Sequence, residues 1–135
     1  MTNILIASHG RFASGLQSSL EILTGMGNRV TVIDAYIDNT DYTSQINTFI
    51  QNAQRPAVIF TDLKGGSVNQ KVLLATMNQK SIYIISQMNL AIILSVLLDT
   101  EPLSADRLDF LISQSQVERI TLPETSTESD DDFLN

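Results

Sequence analysis

The sequence predicts an α/β protein: a mostly parallel, doubly wound sheet with strand order 2-1-3-4 and helices on both faces. Three observations predict it. Short β-rich runs alternate with helical patterns four times along the chain. The β-rich runs are nearly continuous apolar stretches, as expected of strands covered on both faces. The 135 residues are enough for one domain with a real core, and 43% are hydrophobic against 17% charged. Right-handed crossovers then restrict the topology, with the chain reversing direction between the first and third strands.

The elements follow in order. Asn3–Ser8 opens with an apolar run that reads as the first strand. Arg11–Met26 carries Phe12, Leu16, Leu20 and Leu23 at spacings of four, four and three, one face of a helix that ends near Gly25 and Gly27. Arg29–Ala35 is a second strand and residues 38–43 are turn-rich. Ile46, Phe49, Ile50 and Ala53 mark a helix closed before Pro56, and Ala57–Thr61 is a third strand. A glycine-containing loop, Lys64–Ser67, leads into a helix over Val68–Gln79, with Val68, Val72, Leu73, Ala75 and Met77 on or near one side. Ser81–Ser86 is a fourth strand and Leu90–Leu98 a short apolar helix. Ser104 is placed to N-cap a helix running to about Ser115. Val117–Leu122 reads as a final strand. The globular domain is expected over residues 1–123, and the acid-rich residues 124–135 form a disordered tail.

Composition excludes several classes of function. There is no cysteine, which removes disulfides, thiolate catalysis and iron–sulfur clusters. The single histidine, His9, removes any multi-histidine metal site, and neither a metal nor a cofactor is expected. No run of about 18 apolar residues exists, and Leu90–Leu98 is interrupted by Ser95, so no bilayer span is expected. The first residues lack a basic segment ahead of an apolar run, so no secretory signal is expected. A net charge of −7 argues against a nucleic-acid partner. Neither G-x-x-x-x-G-K-[ST] nor G-x-G-x-x-G occurs, so the standard nucleotide-binding loops are not expected.

Chemistry concentrates in two segments. His9 and Gly10 directly follow the first strand, at the carboxyl edge where ligands of such sheets bind. Position alone leaves His9 either functional or a solvated structural residue. Thr61–Ser67 (T-D-L-K-G-G-S) follows the third strand. Neighbouring strands lie about 4.8 Å apart, which lets Asp62 reach the imidazole. A carboxylate on Nδ1–H leaves Nε2 as an outward nucleophile. Gly65, Gly66 and Ser67 lead into a helix N-terminus, an arrangement that favours an anion, although Gly-Gly-Ser is more commonly a turn and an N-cap. Together these residues suit a phosphoryl group carried on His9 Nε2. Proton-shuttle catalysis also fits His9 and Asp62 but needs no anion cradle.

Three motifs, I-A-S-H-G at Ile6–Gly10, T-D-L-K-G-G-S-V-N at Thr61–Asn69 and Q-M-N-L-A-I-I-L-S-V-L at Gln87–Leu97, make the chain resemble enzyme IIA of the mannose-type family of the bacterial phosphoenolpyruvate:sugar phosphotransferase system. The resemblance runs from about Asn3 to Leu122. It implies that His9 accepts phosphate from HPr and passes it to enzyme IIB, with Asp62 as its partner. It implies phosphate contacts from Ser67 and the backbone near Gly66, with Gly10 and Gly65 beside them, and puts Asn89 at the rim. It implies a cytoplasmic, free-standing IIA that meets the membrane only through permease subunits. It further implies a homodimer in which Val117–Leu122 pairs with the partner's sheet; an unpaired last strand after two helices gives this modest independent support. The family's aromatic residue between aspartate and glycines is absent; Lys64 stands in that stretch, and Val68 follows the serine. Three alternatives stand beside this: the phosphohistidine subunit serving dihydroxyacetone kinase, a non-catalytic regulatory module of the same fold, and a hydrolase using His9 with Ser8 or Ser67. The sugar is not encoded in these motifs.

Overall fold

Apolar residues that alternate along short strands have to be covered on both sides, and that requirement sets the architecture. The computed structural model describes residues 2–124. Strands β1 (Ile4–His9), β2 (Thr31–Ala35), β3 (Ala57–Thr61) and β4 (Ile82–Ile85) form one parallel sheet in the order β2-β1-β3-β4. This is the order the sequence predicts. Helices α1 (Phe12–Thr24), α2 (Tyr42–Asn52) and α3 (Ser67–Thr76) occupy the crossovers, and α4 (Leu90–Leu98) and α5 (Ala105–Ser113) follow β4.

Two cores result. Ile4, Ile6, Val58 and Phe60 point to one face, where they meet Leu16 and Leu20 of α1, Ile93 of α4 and Leu108 of α5. Leu5, Ala7, Ile33 and Ile59 point to the other, against Ile46 and Phe49 of α2 and Val68 and Val72 of α3. Leu5, Ile6, Ile59 and Phe60 are wholly inaccessible. Each such side chain contributes roughly 1.5–3 kcal/mol relative to exposure, so the two central strands are the most firmly held part of the molecule.

Side chains set the helix ends. Ser8, buried beneath α1, accepts from the Ala13 amide at 2.7 Å. Gly25 ends α1 at φ 70°, a left-handed conformation suited to a residue without Cβ. Asp41, Asn89 and Ser104 cap α2, α4 and α5 through the amides of Thr43, Ile92 and Arg107. The Ser104 cap and the helix after it match the sequence expectation.

Two expectations are corrected. The buried face of α1 is Ala13, Leu16 and Leu20, while Phe12 and Leu23 are exposed. The buried face of α3 is Val68, Asn69 and Val72, while Leu73 and Met77 are exposed. In both helices the apolar set is wider than the stripe that the sheet covers. Within the single chain Val117–Leu122 makes no sheet pairing, and Val117, Ile120 and Leu122 are exposed. The acidic tail expected over 124–135 lies, beyond Glu124, outside the described residues. No described helix is long and apolar enough to cross a membrane.

One buried polar pair ties β3 to α3. The Thr61 hydroxyl donates to Asn69 Oδ1 at 2.7 Å, with Thr61 inaccessible and Asn69 nearly so. Thr61→Val keeps the shape but leaves that oxygen unpaired, so a loss of about 1–3 kcal/mol in urea unfolding is expected. A variant as stable as the wild type would show that the pair contributes nothing.

Candidate functional site

The site begins with strand adjacency. β1 and β3 pair with Ala7 opposite Thr61, so the residues just past them, His9 and Asp62, leave the sheet side by side. A single carboxylate oxygen, Asp62 Oδ2, accepts from the His9 backbone amide at 2.8 Å and meets His9 Nδ1 at 2.8 Å. The other oxygen accepts from the Leu63 amide at 3.0 Å. The imidazole side chain is 41% exposed and the carboxylate only 10%. The acid is therefore buried beneath a histidine that reaches solvent.

Electrostatics follow from these contacts. Burial pushes the Asp62 carboxyl up, but the hydrogen bonds from the His9 backbone and ring outweigh it and hold it below the usual carboxylate range. An ionised Asp62 only accepts, which assigns the imidazole proton to Nδ1 and the lone pair to Nε2. Nε2 lies 3.2 Å from the Ser67 hydroxyl. Ser67 opens α3, whose N-terminus carries no side-chain cap. The first amides of a helix and its dipole, roughly +0.5 charge, favour an anion at that end.

The structure brings His9, Asp62, Gly66 and Ser67 together and distributes the other expected residues differently. Gly10, at φ 59°, turns the chain out of β1 and spends its amide on the Ala35 carbonyl at 2.8 Å. Gly66 spends its amide on the Leu63 carbonyl at 3.1 Å, and a Cβ there would crowd Leu63 and approach His9 Cε1. Gly65, at φ 79°, forms the turn before it. These glycines shape the loop; the free donors are in α3. Asn89 is committed elsewhere, its oxygen capping α4 and its amide donating to the Ser115 carbonyl at 2.8 Å. Among the described residues no hydrogen bond joins it to His9, Asp62 or Ser67. Lys64 is exposed. Ser8 is buried and holds α1, so Ser67 is the hydroxyl at the imidazole.

Sequence reasoning missed Tyr36. It follows β2 at φ 68° and stacks on His9, with ring centroids 5.4 Å apart and planes at 25°. Its hydroxyl lies 2.8 Å from Ser67 Oγ and 3.0 Å from the hydroxyl of Tyr42, itself buried under the Lys71 ammonium. The hydrogen bonds with Ser67 and Tyr42 lower the Tyr36 phenol. Burial, then donation to Tyr36, pushes the Tyr42 phenol up to about 12. A tyrosine in a turn-rich stretch has no periodicity to mark it; the one signal available was its position immediately after the strand beside β1.

Chemically, the arrangement offers an imidazole nitrogen with an open lone pair, a fixed tautomer, and donors beside it for an anion. Among the described residues no three His, Cys, Asp or Glu side chains converge as a metal site would require.

A family model described as the PTS system fructose IIA component matches residues 3–108. A search of curated proteins returned no match. Solved structures share the fold. The mannose/sorbose specific IIA subunit of the phosphotransferase system from Enterococcus faecalis is 22% identical, over 93% of this chain and 98% of that one, with a TM-score of 0.78. Phosphotransferase system component EIIA from Streptococcus agalactiae is 26% identical, over 85% and 92%, with a TM-score of 0.68. The PTS IIA protein associated with the fucose utilization operon from Streptococcus pneumoniae is 22% identical, over 87% and 92%, with a TM-score of 0.66.

The depressed Asp62 carboxyl has a measurable consequence. A folded value below the unfolded one adds stability at higher pH, and this is lost as pH falls through the folded value. The stability advantage of the wild type over Asp62→Asn should therefore shrink below about pH 4. Urea midpoints of both proteins near neutrality and in acid read this directly; a gap that widens in acid would contradict the assignment.

Proposed function

The chain belongs to the mannose/fructose-type IIA family of the sugar phosphotransferase system and is a sugar-phosphotransfer component; from that premise we propose that it carries a phosphoryl group on His9 Nε2, taken from phospho-HPr and given to enzyme IIB. The observation that carries this is the geometry of His9: one ring nitrogen tied to a buried carboxylate at 2.8 Å, the other facing solvent beside Ser67.

The transfer balances simply. The Nε2 lone pair attacks phosphorus, and the bond from phosphorus to the donor atom breaks with its electron pair remaining on the donor. His9 keeps its Nδ1 proton throughout and becomes an imidazolium bearing the phosphoryl group. Asp62 stabilises that cation through the Nδ1–H bond. Ser67 and the first amides of α3 stabilise the phosphoryl oxygens; charge-assisted hydrogen bonds of this kind are worth about 1.5–3 kcal/mol each. Transfer to enzyme IIB is the same step with roles reversed.

The surroundings suit protein partners. Surface cavities of about 250–520 Å³ are lined by other residues, not by His9, Asp62 or Ser67. Exposed Phe12, at the start of α1, and Tyr36, Ile37 and Leu63, in the loops after β2 and β3, follow the carboxyl ends of the strands, apolar surface that a protein can cover. The protein acts in the cytoplasm on this view, reaching the membrane only through the permease subunits. The proposal includes a homodimer. β4 is an edge strand, and the unpaired 117–122 segment carries exposed Val117, Ile120 and Leu122, so exchange of this segment onto a partner's β4 would satisfy both.

Two measurements test these statements. Incubation with phosphoenolpyruvate, enzyme I and HPr should add one acid-labile phosphoryl group to the intact mass, and none to His9→Gln; uptake by the variant would move the reaction to another residue. Light scattering at micromolar concentration should give twice the chain mass for the wild type and the single-chain mass for Ile120→Asp. A monomeric wild type refutes the exchange.

A further inference from the structure

Tyr36 takes no part in the transfer chemistry above, yet its conformation is one that an aromatic side chain seldom adopts. Its φ of 68° lies in the left-handed region, where a Cβ is crowded. The ring stays 56% exposed, so burial does not hold it there. What it gains is contact with the site: β1 and β2 pair with His9 opposite Ala35, and the turn at Tyr36 swings the next ring over the imidazole. Strain at a residue that is not glycine, adjoining a reactive group, points to a role there.

The hydrogen bonds of its hydroxyl have one consistent direction. Nδ1 donates to Asp62, so Nε2 can only accept. Ser67 therefore donates its proton to Nε2 and offers its oxygen to Tyr36, 2.8 Å away. Tyr36 donates to Ser67 and accepts from Tyr42 at 3.0 Å. The relay runs Tyr42, Tyr36, Ser67, Nε2, with every proton pointing toward His9.

We propose that Tyr36 is a positioning residue for phosphoryl transfer: its hydroxyl, by donating to Ser67, aims the Ser67 proton at Nε2 in the resting protein and at a phosphoryl oxygen once His9 is loaded. This rests on His9 being the phosphoryl acceptor. With the lone pair consumed by phosphorus, Nε2 no longer accepts, and Ser67 needs only a rotation about its own side chain to reach the new oxygens. The Tyr36 proton keeps the Ser67 oxygen occupied, so Ser67 cannot turn its own proton away toward Tyr36. The stack on His9 keeps the phenol in place for this.

The test compares wild type, Tyr36→Phe, Ser67→Ala and the double variant. Tyr36→Phe keeps the ring and removes only the hydroxyl. It should slow phosphoryl uptake from phospho-HPr by about three- to tenfold, the size of one neutral hydrogen bond. Ser67→Ala should slow it further, and adding Tyr36→Phe to Ser67→Ala should change nothing more, because the hydroxyl acts only through Ser67. Multiplying effects, or a Tyr36→Phe rate equal to the wild type's, overturn the proposal. A second readout needs no phosphate. The ¹⁵N resonance of neutral Nε2 should move in Tyr36→Phe toward its position in Ser67→Ala, and Tyr36→Phe should not move it further in the Ser67→Ala background. A wild type that takes up no phosphoryl group refutes the carrier function instead, and an unmoved ¹⁵N resonance then refutes the relay on its own.

Discussion

One oxygen atom organises the functional edge. Asp62 Oδ2 accepts from both the backbone and the ring of His9. The backbone bond fixes where the residue leaves β1, and the ring bond fixes which way the imidazole faces and which nitrogen keeps the proton. Either bond alone leaves a freedom: rotation about the side chain, or drift of the turn. Both on one oxygen remove the two freedoms together. The carboxylate stays ionised in this position because the donors that it holds outweigh its burial.

That contact depends in turn on strand order. β1 lies between β2 and β3, so His9 leaves the sheet with a neighbour on each side. The β3 exit supplies Asp62 and the loop to Ser67; the β2 exit supplies Tyr36. A histidine on an edge strand would have one such neighbour. The central strands are also the most deeply buried, so the imidazole is mounted on the most firmly packed part of the fold. The polar pair of Thr61 with Asn69 anchors the start of α3 to β3 beside Asp62, which keeps Ser67 in range of Nε2.

Much of this was legible in the sequence, and the failures have physical causes. Strand order followed from alternation and handedness. His9, Asp62 and Ser67 were legible because each directly follows a strand or opens a helix, where position along the chain determines position in space. Asn89 also opens a helix, but an asparagine there has two uses, and here its oxygen caps α4. The outward-facing Phe12, Leu23, Leu73 and Met77 show that apolar spacing marks a candidate face without saying how wide a stripe the sheet covers. Val117–Leu122 has strand-like composition and no pairing within the single chain; a strand also needs a partner, and composition does not say which chain supplies it. Tyr36 was hidden because its placement depends on a left-handed backbone that nothing in a tyrosine announces.

The openness of the site bears on the proposed exchange of one phosphoryl group with two partners in turn. An enclosed pocket would discriminate by shape and would have to reopen for each exchange. Here the imidazole is 41% exposed, and the surface around it is apolar rather than charged at Phe12, Ile37 and Leu63. Apolar contact is not directional, so unrelated donor and acceptor surfaces can cover the same residues without matched hydrogen bonds. Directional bonds are confined to the imidazole, where Asp62 and Ser67 meet its two nitrogens. Partner recognition and transfer chemistry thus occupy separate side chains. Under the proposed function, a change in the apolar rim is expected to alter affinity for one protein or the other, and a change beneath the imidazole to alter both half-reactions together.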